Sequence, residues 1–267
     1  KTVDSLVKKF NRNVVEINSG YSESGIDLGS RDIKMIKKLN VGLLGGSKVS
    51  PYNYGEIWYF FEKQLKYPLI QIPENKFSEA LNSLNTLILP NGSHKLFKSK
   101  EKTKLLIEWI RSGGKLIAIG SSLDLFIENK IFGLQKKSNE SKKDPLMSYS
   151  KSLRNKISNN ITGSIYKVNI DPSHFLNYGL DLYYTLKLSG KSFKFLEKGY
   201  NAGYLSKNAI PSSGFAGSNV KNSQKNSLVF GEQKLGKGSI IYFVDNPLFR
   251  GFWYSGKILF SNAIFFR

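Results

Sequence analysis

The sequence predicts a three-layer α/β fold, with a mainly parallel central sheet and helices on both faces, and three observations carry it. Short apolar runs at 39–44, 68–72, 86–89 and 115–119 alternate with segments of helical spacing. Three of the runs end in small, turn-forming residues: Gly45-Gly46-Ser47, Pro90-Asn91-Gly92-Ser93 and Gly120-Ser121-Ser122. Gly113-Gly114 separates the amphipathic segment 101–112 from the run KLIAI, a helix stop followed by a buried strand. The order β-α-β-α-β-α-β predicts parallel strands joined by right-handed crossovers.

Taken along the chain, Val3, Leu6, Val7 and Phe10 are spaced for a helix, residues 14–17 read as a short strand, and 20–31 is turn-rich. Residues 1–38 are thus expected to be an α-β lead-in packed on a main domain, 39–267. Within that domain, Ile57, Trp58, Phe60, Phe61 and Leu65 predict a helix over 54–65, and 77–84 reads as a shorter one. Residues 128–160 turn polar and rich in Lys, Ser and Asn, an exposed excursion with helical spacing over 147–157. Strand-like runs follow at 165–170, 192–196 and 227–231, and then at 232–234 and 239–244 across a glycine turn at 236–238. Ile258, Leu259, Phe260, Ile264 and Phe265 predict a final helix over 255–266.

Composition narrows the chemistry. Without cysteine, disulfides, thiolate nucleophiles and thiolate metal sites are excluded, and with only His94 and His174 a histidine-rich metal site is excluded too. Forty Lys+Arg against 20 Asp+Glu leave a formal charge of +20 over 267 residues. The lysines read as scattered and outnumber arginine, which argues against specific nucleic-acid recognition, while attraction to polyanions stays open. No apolar run is long enough to span a membrane. Opening at Lys1, without methionine or a signal-type apolar core, the chain reads as a piece of a longer protein or a mature chain.

Candidate site residues cluster after the strands. Gly45 and Gly46 could cradle an anion at the following helix or form a plain turn; they match neither the dinucleotide nor the P-loop pattern. Ser121 occupies the turn where many α/β enzymes carry a nucleophile, but the G-x-S-x-G register is missing, and only His94 or His174 could serve it as a base. Tyr54 and Glu56 lie at a helix start, and Asp245-Asn246-Pro247 follows the last strand. Phe249, Arg250, Phe252, Trp253 and Tyr254 form an aromatic patch, either a ligand or docking surface or a core cap with Arg250 stacked on Trp253.

The segments VGLLGGSKVSPYNYGEIWYFFEKQLKYPL, GGKLIAIG and GKGSIIYFVDNPLFRGFWYSGKILFSNAIFF resemble the C-terminal region of Bacteroidetes-type zinc carboxypeptidases, which are carboxypeptidase A-like metallopeptidases. GIDLGS and GSIYKVNIDPSHFLNYGL also fit, so the resemblance covers nearly the whole chain. It implies a class I glutamine amidotransferase-like, flavodoxin-like domain that follows the peptidase domain. The cysteine of working amidotransferases falls on Ser121, and their His-Pro-Glu type segment falls on Asp245-Asn246-Pro247. The peptidase's His-x-x-Glu zinc motif is missing, so zinc is expected only in the parent's catalytic domain and no cofactor is expected in this chain. The expectation is a secreted or periplasmic, non-catalytic accessory domain, with binding residues among Gly45, Gly46, Tyr54, Glu56, Asp245, Arg250 and Trp253. Its partners would be the peptidase domain or a second copy. Two rivals remain: a serine hydrolase centred on Ser121, and a basic polyanion- or glycan-binding module.

Overall fold

A computed structural model describes the chain apart from residues 1, 32, 34–37, 128, 130, 138–145, 147 and 267. The chain forms two compact units, 1–38 and 39–267. In the first, α1 (Thr2–Phe10) is helical as its spacing predicts, yet buries none of its residues. Residues 14–17 form no strand: no neighbouring strand offers them a ladder, and Val14, Val15 and Ile17 are exposed. A Leu28 N–H to Gly20 carbonyl bond of 2.8 Å closes the glycine-rich loop.

The second unit is built on a ten-stranded sheet. Its strands are β1 (Val41–Leu44), β2 (Ile70–Ile72), β3 (Thr86–Leu89), β4 (Lys115–Ile119), β5 (Ile161–Ile170), β6 (Tyr183–Lys187), β7 (Tyr200–Leu205), β8 (Pro211–Ala216), β9 (Ser227–Leu235) and β10 (Gly238–Phe243). They run in the order β2-β1-β3-β4-β10-β9-β7-β5-β6, and β8 pairs with β5. The half from β2 to β10 is parallel, as its crossovers predict. The other half is antiparallel, and its upper part, β6-β5-β8, rises beyond the carboxyl ends of the parallel strands.

Alternating side chains on the buried strands supply two apolar layers. On one face, Val41, Leu43, Ile88, Ile117, Ile119 and Phe243 pack under α2 (Pro51–Tyr59), its continuation 60–65, and α8 (Tyr254–Phe265). On the other, Leu44, Leu87, Leu89, Leu116 and Tyr242 pack under α3 (Phe77–Leu81), α4 (Lys100–Ser112) and α5 (Asp124–Ile127). Helix α6 (Tyr149–Ser158) falls within the predicted polar excursion, and residues 138–145 of that excursion lie outside the described residues. Helix α7 (Ser218–Gln224) precedes β9.

Local chemistry explains the boundaries. Ser50 caps α2 ahead of Pro51, and Ser99 caps α4. Gly113 ends α4 at φ +127°, a conformation other residues avoid, and at Gly114 a Cβ would run into the Trp109 ring. Residues 60–65 wind as a π-helix, so the predicted helix changes pitch at Phe60. The predicted strand at 192–196 does not form: Phe193 makes an isolated bridge to Lys136, and no ladder continues it. The two runs 227–231 and 232–234 are one strand, β9, paired along its length with β10 and β7.

Lys115 opens β4 with its side chain 1% exposed. Its Nζ donates to the carbonyls of Ala263 (2.9 Å), Ile264 (3.1 Å) and Phe266, the unsatisfied end of α8, where a cation also complements the helix dipole. Among the described residues no helix is long and apolar enough to cross a membrane. Lys115→Met is expected to lower stability by about 2–4 kcal/mol in urea unfolding, because it strands several buried carbonyls at once.

Candidate functional site at the carboxyl edge

The loops leaving β1, β3, β4 and β10 gather at one end of the parallel sheet, where ligands of α/β proteins bind. Asn91 ties three of them together. Its carbonyl accepts from Ser50 N–H, its N–H donates to Asn53 Oδ1, and its Oδ1 accepts from Ser121 N–H, each at 2.8 Å. The sequence marked Asn91 only as part of a strand breaker.

The turn after β4 is tight. Ser122 is buried; its Oγ accepts from Ile119 N–H at 2.8 Å and lies 2.9 Å from the Ile119 carbonyl. The left-handed backbone of the turn falls on Gly120 (φ +62°) and not on Ser121, so the strained position that carries a nucleophile in enzyme elbows has no side chain. A Cβ there would stand 2.6 Å from Asn91 Oδ1. The Ser121 hydroxyl is held by Lys191 Nζ at 3.3 Å, and the same ammonium forms a salt bridge with Asp124.

Neither histidine joins Ser121. The ring of His94 is buried, and its Nε2 lies 3.0 Å from the Pro90 carbonyl, which places the proton on Nε2; the buried Nδ1 has no partner. Burial holds its pKa below the ordinary value, against the opposing effect of the Pro90 bond. His174 lies at the other end of the sheet: its neighbour Phe175 stands by Lys115 Nζ, at the start of β4. There His174 Nε2 is 3.5 Å from Glu232 Oε2. Burial pushes the Glu232 carboxyl up, but bonds from His174 and Lys234 outweigh it and hold it below its usual range.

The remaining candidates have structural partners. Asp245 pairs with the fully buried Lys187 at 2.8 Å and accepts from Thr185 Oγ1 at 2.9 Å, so a neutralised carboxylate occupies the end of β10. Burial, reinforced by that carboxylate, raises the Tyr183 phenol pKa. Gly45 N–H is bonded to the Ile72 carbonyl at 2.8 Å, and the Glu74 side chain lies where a Cβ of Gly46 would be, which puts a negative group on the expected anion cradle. The glycines make a plain turn. Tyr54 OH bonds Gln71 Oε1 at 3.1 Å, and burial raises its pKa. Trp253 Nε1 donates to the Tyr184 carbonyl at 2.8 Å, while Arg250 stacks on Phe249, 5.2 Å from the ring centre, and not on Trp253. Glu56 and Arg250 do come together: Arg250 N–H donates to Glu56 Oε1 at 2.7 Å. Among the described residues no three His, Asp or Glu side chains form a group that could hold a metal.

Comparison with solved structures places the fold. The chain is similar to a GMP synthase-type protein from Thermoplasma acidophilum, with a TM-score of 0.53 and 13% identity over 85% of this chain and 92% of that one. It is similar also to a ThuA-like protein from Parabacteroides merdae, with a TM-score of 0.51 and 14% identity over 85% and 89%. A β-galactosidase from Bacillus circulans aligns at TM-score 0.48 and 12% identity, covering 85% of this chain and 30% of that enzyme's length. No protein-family model matches the chain, nor does any curated protein sequence. The fold is class I glutamine amidotransferase-like, of the flavodoxin-type α/β kind.

The buried His94 gives a pH prediction. Its folded pKa lies below 6.5, so its contribution to stability is fully present above that value and is lost as the unfolded chain takes up a proton at lower pH. Urea denaturation between about pH 7 and pH 5 should show stability falling with pH, and less steeply in His94→Gln.

Proposed function

We propose that this chain is a non-catalytic accessory domain: an amidotransferase-like scaffold whose carboxyl edge is locked by structural bonds. The reading rests on the elbow, where the strained position is Gly120 and the Ser121 hydroxyl is held by Lys191 and Asp124. The sequence resemblance of GEIWYFFE and FRGFW supports a zinc carboxypeptidase-like parent, with zinc and peptidase chemistry outside this chain and a secreted or periplasmic location. The domain would then serve assembly or recognition, against the peptidase domain, a second copy or a surface ligand. The direct test is turnover of p-nitrophenyl acetate and glutamine. Wild type and Ser121→Ala should both run at the buffer rate, and a serine-dependent rate well above it would overturn the reading.

A second reading, polyanion binding, gains from one observation. Lys98, Lys100 and Lys104, which read as scattered in the sequence, line one groove along α4 with Arg111 over Phe97 and Ile107, where Glu108 lies 3.8 Å from Lys104. Retention on heparin at physiological salt, with elution shifted to lower salt in Lys100→Ser/Lys104→Ser, is the expected result if the groove is used. Elution at low salt, unchanged by the substitutions, would remove this reading.

A further inference from the structure

Away from the elbow, the carboxyl edge carries a second surface, where Tyr52, Tyr59 and Arg250 are exposed. Helix α2 aligns Tyr52, Gly55, Glu56 and Tyr59 on one face, and with Arg250 and Gly251 they line an open groove of about 470 Å³. Tyr52 is 84% exposed and Tyr59 51%. Gly55 leaves the space between the two rings clear, since a Cβ there would meet nothing within 4 Å.

The turn opposite the tyrosines is built at a cost. Arg250 sits at φ +50°, ψ +21°, a left-handed conformation that a non-glycine residue adopts at a penalty on the order of 1 kcal/mol. Glu56 holds it there: Oε1 accepts Arg250 N–H at 2.7 Å, while Oε2 accepts from Asn246 Nδ2 at 2.6 Å and from Asn53 Nδ2 at 3.4 Å. With its oxygens committed to backbone and amides, Glu56 forms no ion pair with the guanidinium, and among the described residues no other acid does. The guanidinium is left exposed, propped on the Phe249 ring. Strain of this kind, maintained by surrounding bonds, is concentrated at ligand sites.

The geometry points to a binding site for an acidic saccharide, with Tyr52 and Tyr59 stacking on pyranose faces and Arg250 gripping the carboxylate of a uronic acid. Seven residues of α-helix set the tyrosines about 10 Å apart, the span of a disaccharide. A fork of parallel N–H groups suits a planar carboxylate. The groove is open and offers no enclosed apolar pocket for a peptide side chain. Its one cation, Arg250, lies beside the Glu56 carboxylate, whose oxygens are taken by N–H donors, and one cation so placed matches one ligand carboxylate better than a phosphate dianion. The inference extends the recognition role proposed above. Ser121 takes no part in it, so the turnover assay and this site stand or fall separately.

The test is calorimetric titration of the full chain with a hyaluronan hexasaccharide, with a neutral chitin hexasaccharide as control. Wild type should bind hyaluronan at least tenfold more tightly than the neutral oligomer. Arg250→Gly should weaken hyaluronan binding at least tenfold while leaving Tm unchanged or raised, since glycine accepts the left-handed turn without penalty. Tyr52→Ala, at a well-exposed position, should weaken it severalfold with no change in Tm. Absence of hyaluronan binding, equal affinity for both oligomers, or full binding by Arg250→Gly would overturn the proposal. So would a loss in Lys207→Ser, an exposed lysine that lines neither groove, as large as in Arg250→Gly, because that would mark a response to net charge alone.

Discussion

Asn91 uses its carbonyl, its N–H and its side-chain oxygen to fix the loops after β1, β3 and β4 at common distances of 2.8 Å. Much of the carboxyl edge follows from that arrangement. Its side-chain oxygen leaves no room for a side chain on Gly120, so the elbow closes as a bare turn. Its bond to Asn53 orients the residue that shares Glu56 with Asn246, so the same linkage extends to the loop after β10. Because these groups are partly or fully buried, losing one partner would leave others unsatisfied.

The same edge is held by charge pairs. After β4 a hydroxyl is held by an ammonium–carboxylate pair, and after β10 an aspartate is paired with a buried lysine. Breaking a buried pair by removing one partner is strongly destabilising, so Lys187 and Asp245 are bound to each other's presence.

The parallel half of the fold was legible because β1, β3 and β4 are buried throughout and end in glycine or small-residue turns, a pattern local in the chain. The antiparallel half was less so. The β5-β6-β8 group is only partly buried, β8 reads as Pro-Ser-Ser-Gly-Phe-Ala, and its pairing is set by neighbours tens of residues away. The run at 192–196 has the composition of a strand but meets a single bridge partner. At the site, Ser121 was visible as a turn residue, whereas Lys191 is 70 residues distant and carries no local signal. The pairing of Glu56 with Arg250 spans 194 residues, so the sequence could name both residues without joining them.

The strand order bears on how the chain acquires its structure. β10, the last strand in the chain, lies between β4 and β9 and is hydrogen-bonded to both. During synthesis, the ladder groups of β4 that face β10 therefore stay unpaired until some 120 further residues have emerged. An apolar run such as Leu116–Ile119 with an open edge is a template for pairing with other chains. The last hairpin is thus the keystone of assembly, and a nascent chain stalled before residue 238 would carry an adhesive flank that the finished protein hides.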